Sequence, residues 1–173
     1  MIKKILQAKP WMIFFMTIGL PLVIEILFMP SLPNLRFKLI IAIMISIMEC
    51  CFFAWLYAIA NGLQRKLPQD IKLKTKTFNI ILILVITLLL LSSFATIVSS
   101  ELLTNYLELF PLIILIAMCC IMYCLYFTAK IFKTCELHKK TKFSDFAGEF
   151  FLFWFFPIGI WIIQPKLNKM IFE

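Results

Sequence analysis

Apolar residues form four long, uninterrupted runs along the chain, and each run is long enough to cross a lipid bilayer. The runs cover residues 11–29, 37–60, 78–99 and 107–129, against the roughly 18–20 apolar residues that the hydrocarbon layer requires. They are continuous, and so lack the alternation of apolar and polar positions that is typical of a membrane β-barrel. Because a single segment in lipid satisfies its backbone only as a helix, the pattern predicts an all-α, polytopic membrane protein built as a four-helix bundle.

The connections between the runs differ in length and in charge. Residues 30–34 contain two prolines, which block continuation of a helix and predict a tight turn. The second connection, residues 61–77, is longer and basic; the third, residues 100–106, is short and acidic; the fourth, residues 130–142, is basic. The first two runs are therefore expected to form a hairpin.

Lysine and arginine are distributed unequally between the two ends of the runs. Thirteen of them fall in the N-terminal stretch, the second connection and the fourth connection, whereas only Arg36 and Lys38 fall on the opposite side. Positively charged loops are retained in the cytoplasm. We therefore expect the N-terminus to be cytoplasmic and both hairpin tips to face outward.

A fifth apolar segment, residues 144–164, permits two interpretations. Its uninterrupted apolar part, residues 150–163, would be about 21 Å long as a helix, against a hydrocarbon thickness of about 30 Å. Pro157 also interrupts its backbone hydrogen bonds. If the segment spans, the C-terminus lies outside the cell. Length and charge favour the other interpretation, a helix–break–helix in the inner interface or a re-entrant segment, which starts at an N-cap Ser144 with Asp145 in the first turn.

Composition excludes a soluble domain. The 173 residues are 63% hydrophobic and 15% charged, which is more apolar surface than a soluble fold of this size can bury. Residues 1–173 are therefore expected to form a single integral membrane domain, and the first run is interpreted as a retained span. The net charge of +8 follows from the lysines that set the topology. It predicts contact with membrane lipids, namely anionic inner-leaflet headgroups near the lysine clusters, and no nucleic acid is expected as a partner.

Two carboxyl side chains, Glu25 and Glu49, fall inside the first and second runs. An ionisable group in hydrocarbon is costly, so each glutamate is a candidate for an intramembrane polar site. One interpretation is a proton or cation relay. The other is a neutral, hydrogen-bonded structural glutamate or, for Glu25, a side chain that reaches the outer headgroups.

The sequence contains no pattern typical of an enzyme, a cofactor site or a metal site. Six cysteines lie in or just past apolar runs: Cys50, Cys51, Cys119, Cys120, Cys124 and Cys135. Thiolates bind copper(I) or zinc, but adjacent cysteines point in different directions, and cysteine is also an ordinary small residue of helix packing. His138 lies in a charged stretch and is expected to be solvated. With no hydrolase motif or phosphate-binding loop present, we expect no catalytic residue, no cofactor and no metal.

The C-terminal third contains the most distinctive sequence motif of the chain. Residues 143–169 read FSDFAGEFFLFWFFPIGIWIIQPKLNK. This stretch, together with residues 123–137 and 62–68, resembles the signature of a family of small, uncharacterised bacterial membrane proteins with about four transmembrane helices. The resemblance implies no activity and carries over no catalytic or binding residue, but it directs attention to the C-terminal segment.

Seven residues of that segment are candidates for a partner-binding or interface surface: Glu149, Trp154, Pro157, Gly159, Trp161, Gln164 and Pro165. A simple bend with an interfacial aromatic anchor is the alternative interpretation of the same residues.

Two functions follow as hypotheses. The first is a non-enzymatic accessory or interaction protein of the bacterial inner (cytoplasmic) membrane, with lipid or another membrane protein as its partner. The second is a small transporter or channel that uses Glu49 and Glu25. A transporter needs a polar path to Glu49, whereas an interaction protein should have a dry core and an apolar groove or an exposed aromatic face.

Overall fold

The computed structural model describes residues 5–28, 34–95 and 110–172, and the regular structure in these ranges is helical throughout. Helix α1 consists of α-helical Pro10–Phe14, a π-helical turn Phe15–Gly19 and α-helical Leu20–Phe28. The other helices are α2 (Asn34–Gln64), α3 (Thr75–Ala95), α4 (Phe110–Leu137), α5 (Phe143–Trp154) and α6 (Phe156–Phe172), with a 3₁₀ turn at Gln69–Ile71 between α2 and α3. The predicted all-α bundle is confirmed.

Four stretches of these helices are long and apolar enough to cross a membrane. They are Pro10–Leu27, Lys38–Gln64, Thr75–Ser93 and Pro111–Leu137, and each overlaps one of the four apolar runs of the sequence. The chain is thus a multi-pass membrane protein.

The ends of the helices differ from the expected bounds. Helix α2 continues to Gln64 and α4 to Leu137, beyond the expected ends at residues 60 and 129. The α4 extension, residues 130–137, contains Lys, Glu and Leu, which are good helix formers. The α2 extension contains Asn61 and Gly62, which are poor ones, so tertiary packing and not helix propensity continues α2 to Gln64. The two basic connections are correspondingly shorter than expected. Of the predicted turn at residues 30–34, Asn34 is the first residue of α2, and residues 30–33 lie outside the described residues, as does the acidic connection.

Helices α2, α3 and α4 pack against one another, and the C-terminal helices complete their core. Helix α5 packs on α4 and α6, and α1 packs on α2 and α6. The ring of Phe153 in α5 is fully buried and lies 5.4 Å from that of Trp55 and 6.2 Å from that of Phe132. The C-terminal segment is therefore part of the bundle.

The C-terminal segment forms a helical hairpin with a one-residue break. Helix α5 has 12 residues and is therefore about 18 Å long. Phe155 then leaves the helical conformation, with φ −85° and ψ 57°. Pro157 occupies the second position of α6, where a backbone N–H has no intrahelical acceptor in any helix. The break thus falls two residues before the proline, and not at it as the sequence predicted.

Both ends of this hairpin lie at the same end of the bundle. The Phe143 ring stacks on Tyr126 in the C-terminal half of α4, with ring centroids 6.3 Å apart. Lys66, just past α2, donates to the last carbonyl groups of α6. The bend reaches the middle of α2, where the Phe156 ring lies 5.1 Å from that of Phe52. The segment therefore turns back on itself against the bundle, and α6 runs from the middle of α2 to just past its end.

The start of α5 is capped two residues earlier than predicted. The N-cap residue is Lys142 and not Ser144. The Asp145 carboxylate accepts the backbone N–H of Lys142 at 2.8 Å, which pairs a donor that would otherwise be free at the helix start. Asp145 therefore stabilises the first turn through a hydrogen bond as well as through its charge.

Candidate functional site

The seven candidate residues of the C-terminal segment divide between two faces of the α5–α6 hairpin. Glu149, Gly159 and Gln164 are buried against the bundle, whereas Trp154, Pro157, Trp161 and Pro165 are exposed on the outer side. The buried set holds the hairpin in place, and the exposed set is available for contact.

Gln164 joins three parts of the chain through its fully buried side-chain amide. Its Oε1 accepts the indole N–H of Trp55 at 2.9 Å. Its Nε2 donates to the carbonyl oxygens of Leu6 at 3.0 Å and Ala8 at 2.9 Å. Because each buried polar group left unpaired costs about 1–3 kcal/mol, this amide fixes α6 against α2 and the N-terminal turn.

Glu149 belongs to a network of four charged side chains that joins α4, α5 and α6. Lys133 Nζ lies 2.7 Å from Glu136 Oε2 and 2.9 Å from Glu149 Oε1. Lys166 Nζ lies 3.7 Å from Glu136 and 3.9 Å from Glu149. The network is electrically neutral, and Glu149 is only 7% exposed. The network ties the hairpin to α4 near the C-terminal end of that helix.

Gly159 lets α6 pass directly against the backbone of α5. A Cβ atom at this position would lie 1.7 Å from the carbonyl oxygen of Leu152, which is far inside van der Waals contact. No side chain fits there, so the tight hairpin requires glycine. Gly148 is different, because a Cβ atom added to it would meet nothing within 4 Å.

Large apolar side chains cover the outer face of the hairpin. The exposed set is Phe151, Trp154, Phe155, Ile158, Trp161 and Ile162. Trp154 is 46% exposed, and its indole N–H has no hydrogen-bond acceptor in the described part of the chain. We call this set the outer aromatic face.

The two intramembrane glutamates do not form a common site. Glu25 is exposed on α1. Glu49 is half-buried in α2, and its Oε2 atom is buried without a hydrogen-bond partner among residues 5–28, 34–95 and 110–172. Glu49 lines a cavity of about 370 Å³ together with apolar side chains, and Thr17 is the other polar residue of that lining. Among the described residues, the lining of this cavity offers Glu49 no polar path.

A second apolar cavity, also about 370 Å³, lies between the N-terminal part of α1 and α2. Thr17 borders both cavities and sits in the π-helical turn. Pro21, just beyond this turn, has no N–H to donate, which disturbs the α-helical register. The Thr17 hydroxyl donates to the Ile13 carbonyl at 2.8 Å. Thr17 is therefore satisfied within its own helix, and neither cavity gains a free donor from it.

The cysteines and the single histidine do not assemble into a site. Among the residues described, no group of three or more His, Cys, Asp or Glu side chains is placed to hold a metal ion. All six cysteines are free thiols. His138 is exposed, as expected, and adopts a left-handed φ of 50° just after α4.

Sequence reasoning did not identify the partners of the C-terminal residues. Trp55 and Gln164 are 109 positions apart, and Lys133 and Glu149 are 16 apart, so no local pattern joins them. Within the ionic network, the pair of Lys133 and Glu136 has helical i,i+3 spacing and is readable from sequence.

No protein-family model, no curated protein and no solved structure matches this chain. The resemblance of residues 143–169 to small bacterial membrane proteins therefore stays a prediction. The function has to be argued from the geometry of the hairpin and the bundle.

Proposed function

We propose that the protein is a non-enzymatic accessory protein of a bacterial inner membrane, which binds a partner membrane protein through the outer aromatic face of the α5–α6 hairpin. One arrangement carries the proposal. The hairpin is clamped on its inner side by Gln164 and Glu149, while its outer side presents large exposed aromatic rings. A surface held rigid in advance loses little conformational entropy on binding.

The position of Trp154 favours a protein partner over lipid alone. Tryptophans that anchor a protein in a bilayer lie at the water interface, where the indole N–H is hydrated. Trp154 instead lies next to the bend of the hairpin, and Phe156 at that bend contacts the middle of α2. A carbonyl or hydroxyl group of a partner helix would satisfy the indole N–H, which hydrocarbon cannot do.

Photocrosslinking in cells tests the partner proposal. A photoreactive phenylalanine analogue placed at Trp154 or Trp161 should give adducts of one discrete size with another membrane protein. Ile83 on α3 is the matched control, because it is 64% exposed on an apolar helix outside the hairpin. The analogue at Ile83 should give lipid adducts only.

Two outcomes of the crosslinking experiment would contradict the proposal. Lipid adducts alone at all three positions would exclude a protein partner, and equal protein capture at Ile83 would exclude a specific surface. With the analogue at Trp161, Trp154→Phe keeps an aromatic ring at position 154 and removes the indole N–H. It should reduce the yield of the captured complex about fivefold, corresponding to one hydrogen bond of about 1 kcal/mol.

We also propose that the end of the bundle with Lys66 and Lys133 faces the cytoplasm together with both chain termini. The excess of lysine at that end supports this orientation. A single cysteine at Lys169, in a cysteine-free background, should resist an impermeant thiol reagent added outside the cell. Labelling from the outside would overturn the orientation.

A transporter that uses Glu49 has less support, because the cavity beside this carboxyl is almost wholly apolar. Reconstitution in liposomes separates the two functions. If the protein carries protons or cations, Glu49→Gln should abolish the flux. Absence of flux for every tested ion would leave the accessory function as the better account.

A further inference from the structure

A small polar pocket of about 150 Å³ opens between the α2–α3 connection, α4 and the turn after α4. Its lining residues are Ile71, Lys72, Leu73, Lys130, Thr134, Lys140 and Thr141. Three lysines from three different parts of the chain therefore meet around one concavity, and none of the acidic side chains that the structure describes lines it. We call it the lysine pocket.

The positive charge of the lysine pocket is uncompensated, unlike that of the ionic network on the hairpin. Across the described ranges, Lys72, Lys130 and Lys140 form no ion pair with a carboxylate. The Lys130 ammonium lies 5.7 Å from the centroid of the Tyr126 ring, which leaves its charge in place. Asp70, two residues before Lys72, is exposed and does not line the pocket. A bound anion would compensate this positive charge.

The walls of the pocket are held in place by side-chain hydrogen bonds. Gln64 accepts the backbone N–H of Leu73 at 3.3 Å and donates to the carbonyl of the same residue, which fixes the α2–α3 connection. His138, in its left-handed conformation, reverses the chain after α4. The reversal brings Thr141 against Thr134, with hydroxyl oxygens 2.9 Å apart. The pocket is therefore pre-formed from parts distant in sequence.

The threonine pair leaves one hydrogen-bond donor available to a ligand. Thr134 and Thr141 are both buried, and each hydroxyl carries one proton. Their mutual hydrogen bond uses one of the two protons, and the second has no acceptor among the described residues. An oxygen of a ligand in the pocket can accept it. Three ammonium groups and a hydroxyl donor suit a phosphate, which presents several strongly accepting oxygens.

We propose that the lysine pocket binds a phosphate group, held by Lys72, Lys130 and Lys140 and by the hydroxyl of the threonine pair. The volume corresponds to about five water molecules, which suits a tetrahedral phosphate with its ester oxygen. The group belongs either to an anionic phospholipid or to inorganic phosphate. This site shares no residue with the outer aromatic face, so it stands independently of the proposed partner binding.

The test measures binding to the full-length protein in detergent, with three probes. Short-chain phosphatidic acid and phosphatidylglycerol are titrated by native mass spectrometry, and inorganic phosphate is titrated by calorimetry. The wild-type protein should retain one equivalent of at least one probe. Binding of a phospholipid alone assigns the site to a headgroup, whereas binding of inorganic phosphate as well assigns it to the phosphate group itself.

Two double variants with the same charge change decide whether the pocket is the site. Lys72→Gln with Lys140→Gln removes two pocket lysines and should weaken binding about thirtyfold, at about 1 kcal/mol for each lysine. Lys74→Gln with Lys139→Gln removes two lysines from the same two connections outside the pocket, and its affinity should stay within about twofold of wild type.

All four of these lysines are exposed, so both double variants should fold, and equal melting temperatures verify this. An equal loss of affinity in the two variants would show diffuse attraction to the basic end of the bundle and would overturn the proposal. The absence of saturable binding of all three probes to the wild-type protein would overturn it as well.

Discussion

Replacing Gly159 by alanine should force apart the two helices of the α5–α6 hairpin. The added Cβ would lie 1.7 Å from the carbonyl oxygen of Leu152 and 2.5 Å from its carbonyl carbon. Since an ordinary carbon–oxygen contact is about 3.3 Å, α6 has to move by about 1.6 Å relative to α5. Both atoms that clash belong to the backbone, so no change of side-chain rotamer relieves the contact.

That displacement would disturb the buried face of α6. Ile160 and Ile163 are fully buried, and the Gln164 amide must stay within hydrogen-bond distance of Trp55. Overpacking of this kind costs about 1–3 kcal/mol, and a weakened buried hydrogen bond adds about 1 kcal/mol. We expect Gly159→Ala to lower the free energy of unfolding by about 3 kcal/mol.

Gly148→Ala is the matched control, because it is the same substitution in α5 at an exposed position with open space around it. It should raise the free energy of unfolding by about 0.5–1 kcal/mol through helix propensity. Denaturant unfolding in detergent micelles, followed by tryptophan fluorescence, measures both variants. If the free energies of unfolding of the two variants agree within about 0.5 kcal/mol, the close approach of α6 to Leu152 is refuted.

Two further substitutions probe the clamps on the inner side of the hairpin. Gln164→Leu should destabilise the protein by about 3 kcal/mol, because it removes the partner of the buried Trp55 indole N–H, of the buried Leu6 carbonyl and of the half-buried Ala8 carbonyl. In a double-mutant cycle by thermal unfolding, Trp55→Phe should then cost less than it does in the wild type, and strict additivity would argue against the contact. Glu149→Gln should lower the free energy of unfolding by about 1–3 kcal/mol, since the carboxylate is buried beside Lys133. Glu136→Gln, at a more exposed position, should lower it by less than about 1 kcal/mol. A lower melting temperature for Glu136→Gln than for Glu149→Gln would contradict the assignment of Glu149 as the stronger clamp.

The positions of the four spans were predictable from the sequence, but the ends of the helices were not. A hydropathy pattern stops where polar residues begin, whereas a helix stops where its backbone meets a breaker. Helix α4 runs on to Leu137 and ends only where His138 turns left-handed. Likewise, the N-cap of α5 is Lys142, because the Asp145 carboxylate accepts the backbone N–H of that residue. The statistical preference for serine at an N-cap had instead predicted Ser144.

The candidate segment was predictable as a whole, but its two faces were not. Residues 150–156 are apolar on every side, so no helical period separates an inner face from an outer one. The structure buries Glu149 in an ionic network and leaves Trp154, five residues later, exposed. That division depends on how α5 lies against α4. Glu49 was likewise recognisable as a costly residue, while the apolar character of its cavity depends on the packing of α1 and α6 around it.

The sequence by itself determined that this chain is an all-α membrane protein with four apolar helices and a short fifth segment. It could do so because hydrocarbon imposes length and hydrophobicity on each segment separately. Only the tertiary structure decided that the fifth segment turns back at Phe155, that Gln164 meets Trp55, and that three lysines surround one pocket. These features depend on contacts between helices far apart in the chain, and such contacts leave no periodic mark in the sequence.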